Sequence, residues 1–281
     1  MRIGQNPLTR AFLPPMPGLV AAIITHLPNR KGYHAQRFEV IQECFKSLRE
    51  NAGVELPLYV WDNGSDKQFR NWLLRELKPD YLTLSPNIGK GSARTAIMRS
   101  FPLETVVCFS DEDIYFYPGW LNAQLELLRG FPNVGAVSGC PIRTQFRWGN
   151  KATLKWAGEN AVLRTGHFIP SEWEHDFCIS IGRDWAAHCQ STAGEQDYLI
   201  EYNGLKAYAT AHHMQFIGLA GKLGSIGSWS GSAMRDDQTF DVAIDLLGLL
   251  RLTTTERYTR HIGNVLEPME QDNAYLRLPL P

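Results

Sequence analysis

The chain has 281 residues, 44% of them hydrophobic and 20% charged, with a formal net charge of −1. That size and composition fit one large domain, or one domain with an appended lobe, around a substantial core. The near-neutral charge gives no support to long-range electrostatic capture of nucleic acid or an anionic membrane, and no run approaches the roughly 18 consecutive apolar residues of a transmembrane helix.

Residues 1–18 carry Arg2 and Arg10 but are broken by Pro7, Pro14, Pro15 and Pro17. Without the continuous apolar stretch of a secretory leader they read as an irregular arm. Residues 19–25 are short, apolar and β-branched, the pattern of a strand buried on both faces. A helical spacing follows over 34–51, with Phe38, Ile41, Phe45 and Leu48 along one face. Residues 57–61 form a second buried strand ended by the turn Asp62-Asn63-Gly64-Ser65. A helix over 69–77 and a third strand over 81–84 come next. Residues 87–94 then make a glycine-containing entry into a helix, and 104–110 an apolar strand that ends in Asp111-Glu112-Asp113.

This alternation predicts an α/β fold with a mostly parallel sheet and helices on both sides. Beyond residue 140 the pattern becomes irregular and rich in Trp, Arg and His. Mixed helix and strand signals return at 196–202 and 206–213, followed by a Gly/Ser stretch over 218–231, a helix over 240–250 and a polar tail. The five cysteines (Cys44, Cys108, Cys140, Cys178 and Cys189) are odd in number and form no Cys-x-x-Cys pair, which points to a reducing, cytoplasmic setting.

The acidic triplet carries the chemistry. Asp111 and Asp113 are two apart at a strand end, so continued strand geometry sends both to one side and Glu112 to the other. Carboxylates there must be hydrated, paired or bound to a cation, and Mg²⁺ or Mn²⁺ suits oxygen ligands shared with a phosphate. Ligands of open α/β sheets also gather beyond the carboxyl ends of strands. An acidic loop capping the helix near Pro118 would carry the same triplet.

The block from Phe109 to Leu121, with its acids followed by Pro118-Gly119-Trp120-Leu121, resembles the DxD segment of family 2-like GT-A glycosyltransferases. Three further segments are similar to that family in the same order. They are Ile23-Ile24-Thr25 with Asn29-Arg30, then Val60-Trp61-Asp62-Asn63-Gly64-Ser65, then the stretch from Asn87 to Arg94. The turn from Thr25 to Arg30 is longer than the family pattern.

The resemblance implies a nucleotide-diphosphate-sugar donor, a divalent metal (Mn²⁺ or Mg²⁺) and inverting transfer to an acceptor hydroxyl. It divides the chain into the arm 1–18, a nucleotide-sugar-binding half 19–140 and an acceptor half 141–281. It places Thr25 and Arg30 at the nucleoside or phosphate, and Asp62 at the base. As an acceptor Asp62 suits an imide N–H, and it equally suits the capping of its own turn. Lys90 and Arg94 would face the diphosphate, with Gly89 and Gly91 allowing close approach. Asp111 and Glu112 belong to the donor side, Asp111 near the ribose or metal, and Asp113 is the principal metal ligand.

Gly194-Glu195-Gln196-Asp197 resembles the family's second acidic motif, a Glu-Asp pair at a helix start, with Gln196 as a departure. Asp197, and after it Glu195, is therefore the expected general base; two acids in a first helical turn would also suit the helix dipole. His212, His213 and His261 compete as a further metal or phosphate ligand. The segment from Arg257 to Asn264 resembles a His-Ile-Gly-Asn ending of some relatives and favours His261. The acceptor, whether saccharide, lipid-linked sugar, protein, small molecule or modified nucleic acid, is not written in these motifs. A nucleotidyltransferase on a related sheet is the rival enzyme, but it would carry a glycine-rich loop after the first strand. A non-catalytic nucleotide-sugar-binding protein would have no need of Asp111, Asp113 and Asp197.

Overall fold

The computed structural model describes residues 16–227 and 233–266. The arm before residue 16 and the tail after residue 266 lie outside the described residues. Strand β1 (Leu19–Thr25) leads through a loop to helix α1 (Arg37–Asn51), then β2 (Leu58–Asn63) and α2 (Lys67–Trp72), which continues as a π-helical turn to Leu77. Next come β3 (Tyr81–Ser85), α3 (Lys90–Arg99), β4 (Val106–Ser110), β5 (Ile114–Phe116) and α4 (Trp120–Gly130). β6 (Val134–Ser138), α5 (Lys151–Asn160), β7 (Val162–Gly166), α6 (Ser171–Ser180) and α7 (Trp185–Thr192) follow. The described chain ends with β8 (Asp197–Tyr202), β9 (Leu205–Tyr208), β10 (Gln215–Leu219), α8 (Ala220–Leu223), α9 (Ala233–Leu246), β11 (Leu250–Thr254) and β12 (Thr259–His261). No helix among the described residues is long and apolar enough to cross a membrane.

The sheet order is β3-β2-β1-β4-β10-β6-β11-β9-β8-β7. β3, β2, β1 and β4 are mutually parallel, β11 runs parallel to β6, and β10 enters antiparallel between β4 and β6. The two-residue period of β1 builds both faces at once. Ala21 and Ile23 join Ile41, Phe45 and Leu48 of α1 in one core. Val20, Ala22 and Ile24 join Ala93, Ile97 and Met98 of α3 in the other. A strand sandwiched this way has no polar face, which is why its sequence is apolar throughout.

Two turns show why particular small residues stand beside this sheet. Gly64 has φ +93, and a Cβ there would lie 2.8 Å from the Asn87 backbone nitrogen, so only glycine lets the ends of β2 and β3 close together. Gly119 (φ +81) starts α4 and delivers Trp120, fully buried, into contact with Phe116 at 4.7 Å between rings.

The expected mostly parallel α/β arrangement is present, and four features of the second half differ from the sequence reading. Asp197 opens strand β8 and not a helix. Gly218 lies inside β10 and Ala220–Leu223 is a helical turn, so the Gly/Ser stretch begins in regular structure, and its residues 228–231 lie outside the described residues. The helix expected over 240–250 is α9, which begins at Ala233. Its expected end is instead β11, where Arg251 is fully buried in the strand, paired with Asp241 at 2.7 Å and donating to the carbonyls of Trp148, Gly149 and Ala211. A buried guanidinium needs that number of partners, and without them the Leu-Arg-Leu run reads as amphipathic helix.

Topology decides what reaches the carboxyl edge of β4. β10 runs antiparallel to it, with Gln215 opposite Ser110, so the residues just before β10 lie beside Asp111. The Asp111 N–H indeed donates to the Met214 carbonyl at 2.8 Å. α9 precedes β11, which points the same way as β4, so the helix begins at the carboxyl edge. β12 pairs with β5, with His261 opposite Ile114, and returns the chain to the acidic triplet.

Candidate active site

Strand geometry does not continue past β4: Glu112 and Asp113 lie in a turn and share Arg37, while Asp111 alone faces Lys90, so the expected alternation of the three acids is not kept. Asp111 Oδ2 accepts from Lys90 Nζ at 2.7 Å. Lys90 is the first residue of α3, behind Gly89 (φ +84), and its ammonium also reaches Asp237 Oδ2 at 3.1 Å. Arg94, one turn later and buried, donates to Asp237 Oδ1 at 2.7 Å and lies 4.1 Å over the Phe240 ring. Lys90, Arg94, Asp111 and Asp237 thus form one partly buried ionic cluster.

Glu112 turns toward α1 and the loop after β1. It accepts from the His26 N–H at 2.7 Å and from Arg37 at 2.6 Å, and Arg37 also reaches Asp113 Oδ2 at 3.3 Å. Asp113 Oδ2 is 3.4 Å from His261 Nε2, whose ring is fixed through Nδ1 to Ser180 Oγ at 2.9 Å. The Ile262 N–H closes on the Asp113 carbonyl at 2.9 Å. Asp113 Oδ1 is buried and has no hydrogen-bond partner among the described residues.

These contacts set the charges. Burial works against ionisation of Asp113, yet His261, Arg37 and Lys90 outweigh it and hold the carboxyl below the usual range. Asp111 is pushed up, chiefly by burial and with Asp113 and Asp237 adding repulsion, while Lys90 opposes the rise. Lys90 is raised: burial lowers it, but Asp111 and Asp237 prevail. Asp237 is held low because Lys90, His213 and Arg94 overcome its burial. His261 is raised, since Asp113 outweighs the cost of burying its charge.

The other expected residues fall in three places. Thr25 and Asp62 stand opposite each other at the ends of β1 and β2, with Thr25 Oγ1 3.4 Å from Asp62 Oδ1. Asp62 is fully buried and also accepts from Arg70 Nε at 2.7 Å and the Ser65 N–H at 3.3 Å, so it stabilises its own turn. Arg30 lies with its guanidinium 4.2 Å over the Phe38 ring of α1.

Asp197 and Glu195 belong to a different cluster. Asp197 is fully buried, paired with Arg143 at 2.8 and 3.2 Å, and accepts from the N–H groups of Phe168 and Ile169 at 2.6 and 2.8 Å. One of these bonds falls on Oδ1 and three on Oδ2, which commits the buried carboxylate to holding Arg143 and the 168–169 backbone. Glu195, in the turn before β8, pairs with Arg147. Of the histidines, His261 meets Asp113, and His213 meets Asp241 at 2.9 Å and Asp237 at 3.6 Å. His212 is buried between the Gln145 amide and the Met214 N–H.

Arg37 and the acids of α9 escaped the sequence reading, and His213, weighed there as a metal or phosphate ligand, meets those acids instead. The available signal was Asp236-Asp237, an adjacent acidic pair near the start of a helix, which placing the helix start at Phe240 concealed.

The model of the family described as "Glycosyl transferase family 2" matches residues 33–181, more than half of the chain. The chain belongs to that family. Its α/β architecture is the GT-A type expected of such a transferase. Among solved structures it is similar to residues 1–349 of TarS from S. aureus, with 18% identity and a TM-score of 0.32. That match covers 46% of this chain and 35% of TarS 1–349. It is also similar to the mannosyltransferase PcManGT from Pyrobaculum calidifontis, a structure in complex with GDP-Man and Mn2+, with 24% identity and a TM-score of 0.35. There the match covers 48% of this chain and 40% of the other. Both likenesses therefore span well under half of the relatives' own length. No curated protein matches the chain at a significant level.

Proposed function

We propose that this family 2 chain moves a sugar from a nucleotide-diphosphate donor to an acceptor hydroxyl by a single displacement. The observation that carries the reading is the buried Asp113 carboxylate, with one oxygen unpartnered among the described residues, beside His261 at the carboxyl edge of a parallel sheet.

The donor set fits a divalent cation shared with phosphate. Among the described residues no three His, Cys, Asp or Glu side chains stand ready as a complete cage. Mg²⁺ and Mn²⁺ sites of this kind use one or two protein carboxylates and complete the shell with substrate oxygens and water. Asp113 and His261 would hold the ion, with Asp111 available once Lys90 turns to the diphosphate. When bound, such an ion offsets the charge of the departing nucleotide.

The chain's own groups supply the rest. Lys90, on the first turn of α3, is placed to exchange its carboxylate partners for diphosphate oxygens. Arg94 holds Asp237 from behind. Thr25, Arg30 and Asp62 stay on the nucleoside side, where Asp62 keeps the β2 turn in shape. Asp237 suits the general-base role better than Asp197. It stands in the Asp111–Lys90 cluster and is held ionised by its neighbours, whereas Asp197 is fully buried away from that cluster and holds Arg143 and two backbone N–H groups. The acceptor oxygen would attack the anomeric carbon as its proton passes to Asp237, and the diphosphate would leave with the bonding electrons, inverting that carbon.

The test is nucleotide release from UDP-, GDP-, CDP-, ADP- and dTDP-sugars with Mn²⁺, using water as the default acceptor. Release from one donor class, lost in Asp237→Asn while the nucleotide still binds, is expected. Release that Asp237→Asn leaves intact would remove this base, and no release from any donor would remove the transfer reading.

A further inference from the structure

Behind Asp237 lies a second layer that the transfer chemistry above does not use. His213 Nδ1 is 2.9 Å from Asp241 Oδ2, and Asp241 Oδ1 is itself held by the buried Arg251 at 2.7 Å. A carboxylate has no proton to give, so Nδ1 carries the hydrogen and the tautomer is fixed by the partner. The opposite nitrogen, Nε2, then faces Asp237 Oδ2 at 3.6 Å with its lone pair unprotonated in the neutral ring.

Asp237 and Asp241 are four apart on α9 and therefore share a helix face, which is what lets one imidazole lie between them. The separation of 3.6 Å is just outside hydrogen-bond range, so a proton on Nε2 would draw the pair together. The groups facing His213 are Asp237 and Asp241 from α9 and the His212 ring at 4.7 Å. Lys90 and Arg94 of α3 stand behind Asp237, and Arg251 of β11 stands behind Asp241.

We propose that His213, oriented by Asp241, is the positioning residue of Asp237 and the next stop for the proton that Asp237 removes. This rests on the transfer reading above. The acceptor O–H proton moves to Asp237 Oδ2 as the new C–O bond forms, then to His213 Nε2, which restores the carboxylate. The resulting imidazolium lies between two carboxylates, and bulk water takes the proton afterwards.

Two measurements separate this inference from the reading beneath it. Long-range ¹H–¹⁵N spectra of the histidine rings in the full chain, with His213→Gln for assignment, need no substrate. The neutral His213 ring is expected to carry its proton on Nδ1, to lose that fixed tautomer in Asp241→Asn, and to change its Nε2 shift in Asp237→Asn. A proton found on Nε2 of the neutral ring, or ring shifts that both substitutions leave unchanged, overturns the pairing.

In the nucleotide-release assay, His213→Gln is expected to lower kcat by about a hundredfold, to displace the acidic limb of the pH profile, and to leave the donor KM and Tm near wild type. Wild-type kcat and pH profile in His213→Gln overturn the proton step. A wild-type chain that turns over no nucleotide sugar overturns the transfer reading and the proton step with it, while the spectra still decide the pairing.

Discussion

Asp111 and Asp237, from opposite halves of the chain, hold one ammonium between them: Lys90 Nζ lies 2.7 Å from the first and 3.1 Å from the second. Helix α9 thereby places Asp237, just past its first turn, against the acids that follow β4. On the proposed transfer reading, a diphosphate arriving at α3 would offer Lys90 a new partner and leave Asp237 facing the site.

The two base candidates respond differently to the same substitution. Asp237→Asn is expected to lower the transfer rate by about a hundredfold to ten-thousandfold. Asp197→Asn is expected to act on folding, since an amide cannot serve Arg143 and two backbone N–H groups at once. A loss of about 3 kcal/mol is expected, read by urea unfolding, because a buried charge loses its partner. Asp197→Asn with normal stability and no turnover would reverse the assignment.

Arg37 is predicted to be a stability residue whose removal is felt through Glu112. Both side chains are buried, so Arg37→Met should cost about 3–5 kcal/mol by stranding the carboxylate. Adding Glu112→Gln should recover part of that loss, and a double-mutant cycle measures the coupling. Strict additivity would contradict the pairing.

His212 makes stability fall on the acid side of neutrality. Burial, with His213, His261, Lys90 and Arg251 adding repulsion, holds its pKa well below the ordinary 6.5. Below about pH 6.5 the unfolded chain therefore takes up a proton that the folded chain refuses. Stability from this group is present above that pH and is lost as the pH drops, by at most about 1.4 kcal/mol per unit. His212→Asn should show a flatter Tm between pH 7.5 and 5 than wild type, and an equal slope would remove the effect.

The first half of the fold was legible because β1, β2 and β4 are buried on both faces and their apolar runs end at sharp turns. The strand-end acids, the Gly64 turn and the Gly119-Trp120 helix start announce themselves by local chemistry. Legibility failed where a contact is long-range. β5 and β12 are three residues each, too short for a periodic signal, yet their pairing alone brings His261 to Asp113. Arg251 hid β11 because its counter-charge, Asp241, lies on another element. Asp197 resembled a first-turn helix acid because its partner Arg143 is distant in sequence and the strand it opens is mixed in polarity.

The most direct test of the central claim is the thermal stability of the chain with UDP, GDP, CDP, ADP and dTDP, each with and without Mn²⁺, in wild type and Asp113→Asn. A nucleotide at about 100 times its dissociation constant adds roughly 2.7 kcal/mol, a rise of several degrees at this size. One nucleotide class that stabilises the wild type only with the metal, and has no effect on Asp113→Asn, is the expected result. Metal-dependent stabilisation that survives Asp113→Asn, or none with any nucleotide, would contradict a shared cation at Asp113.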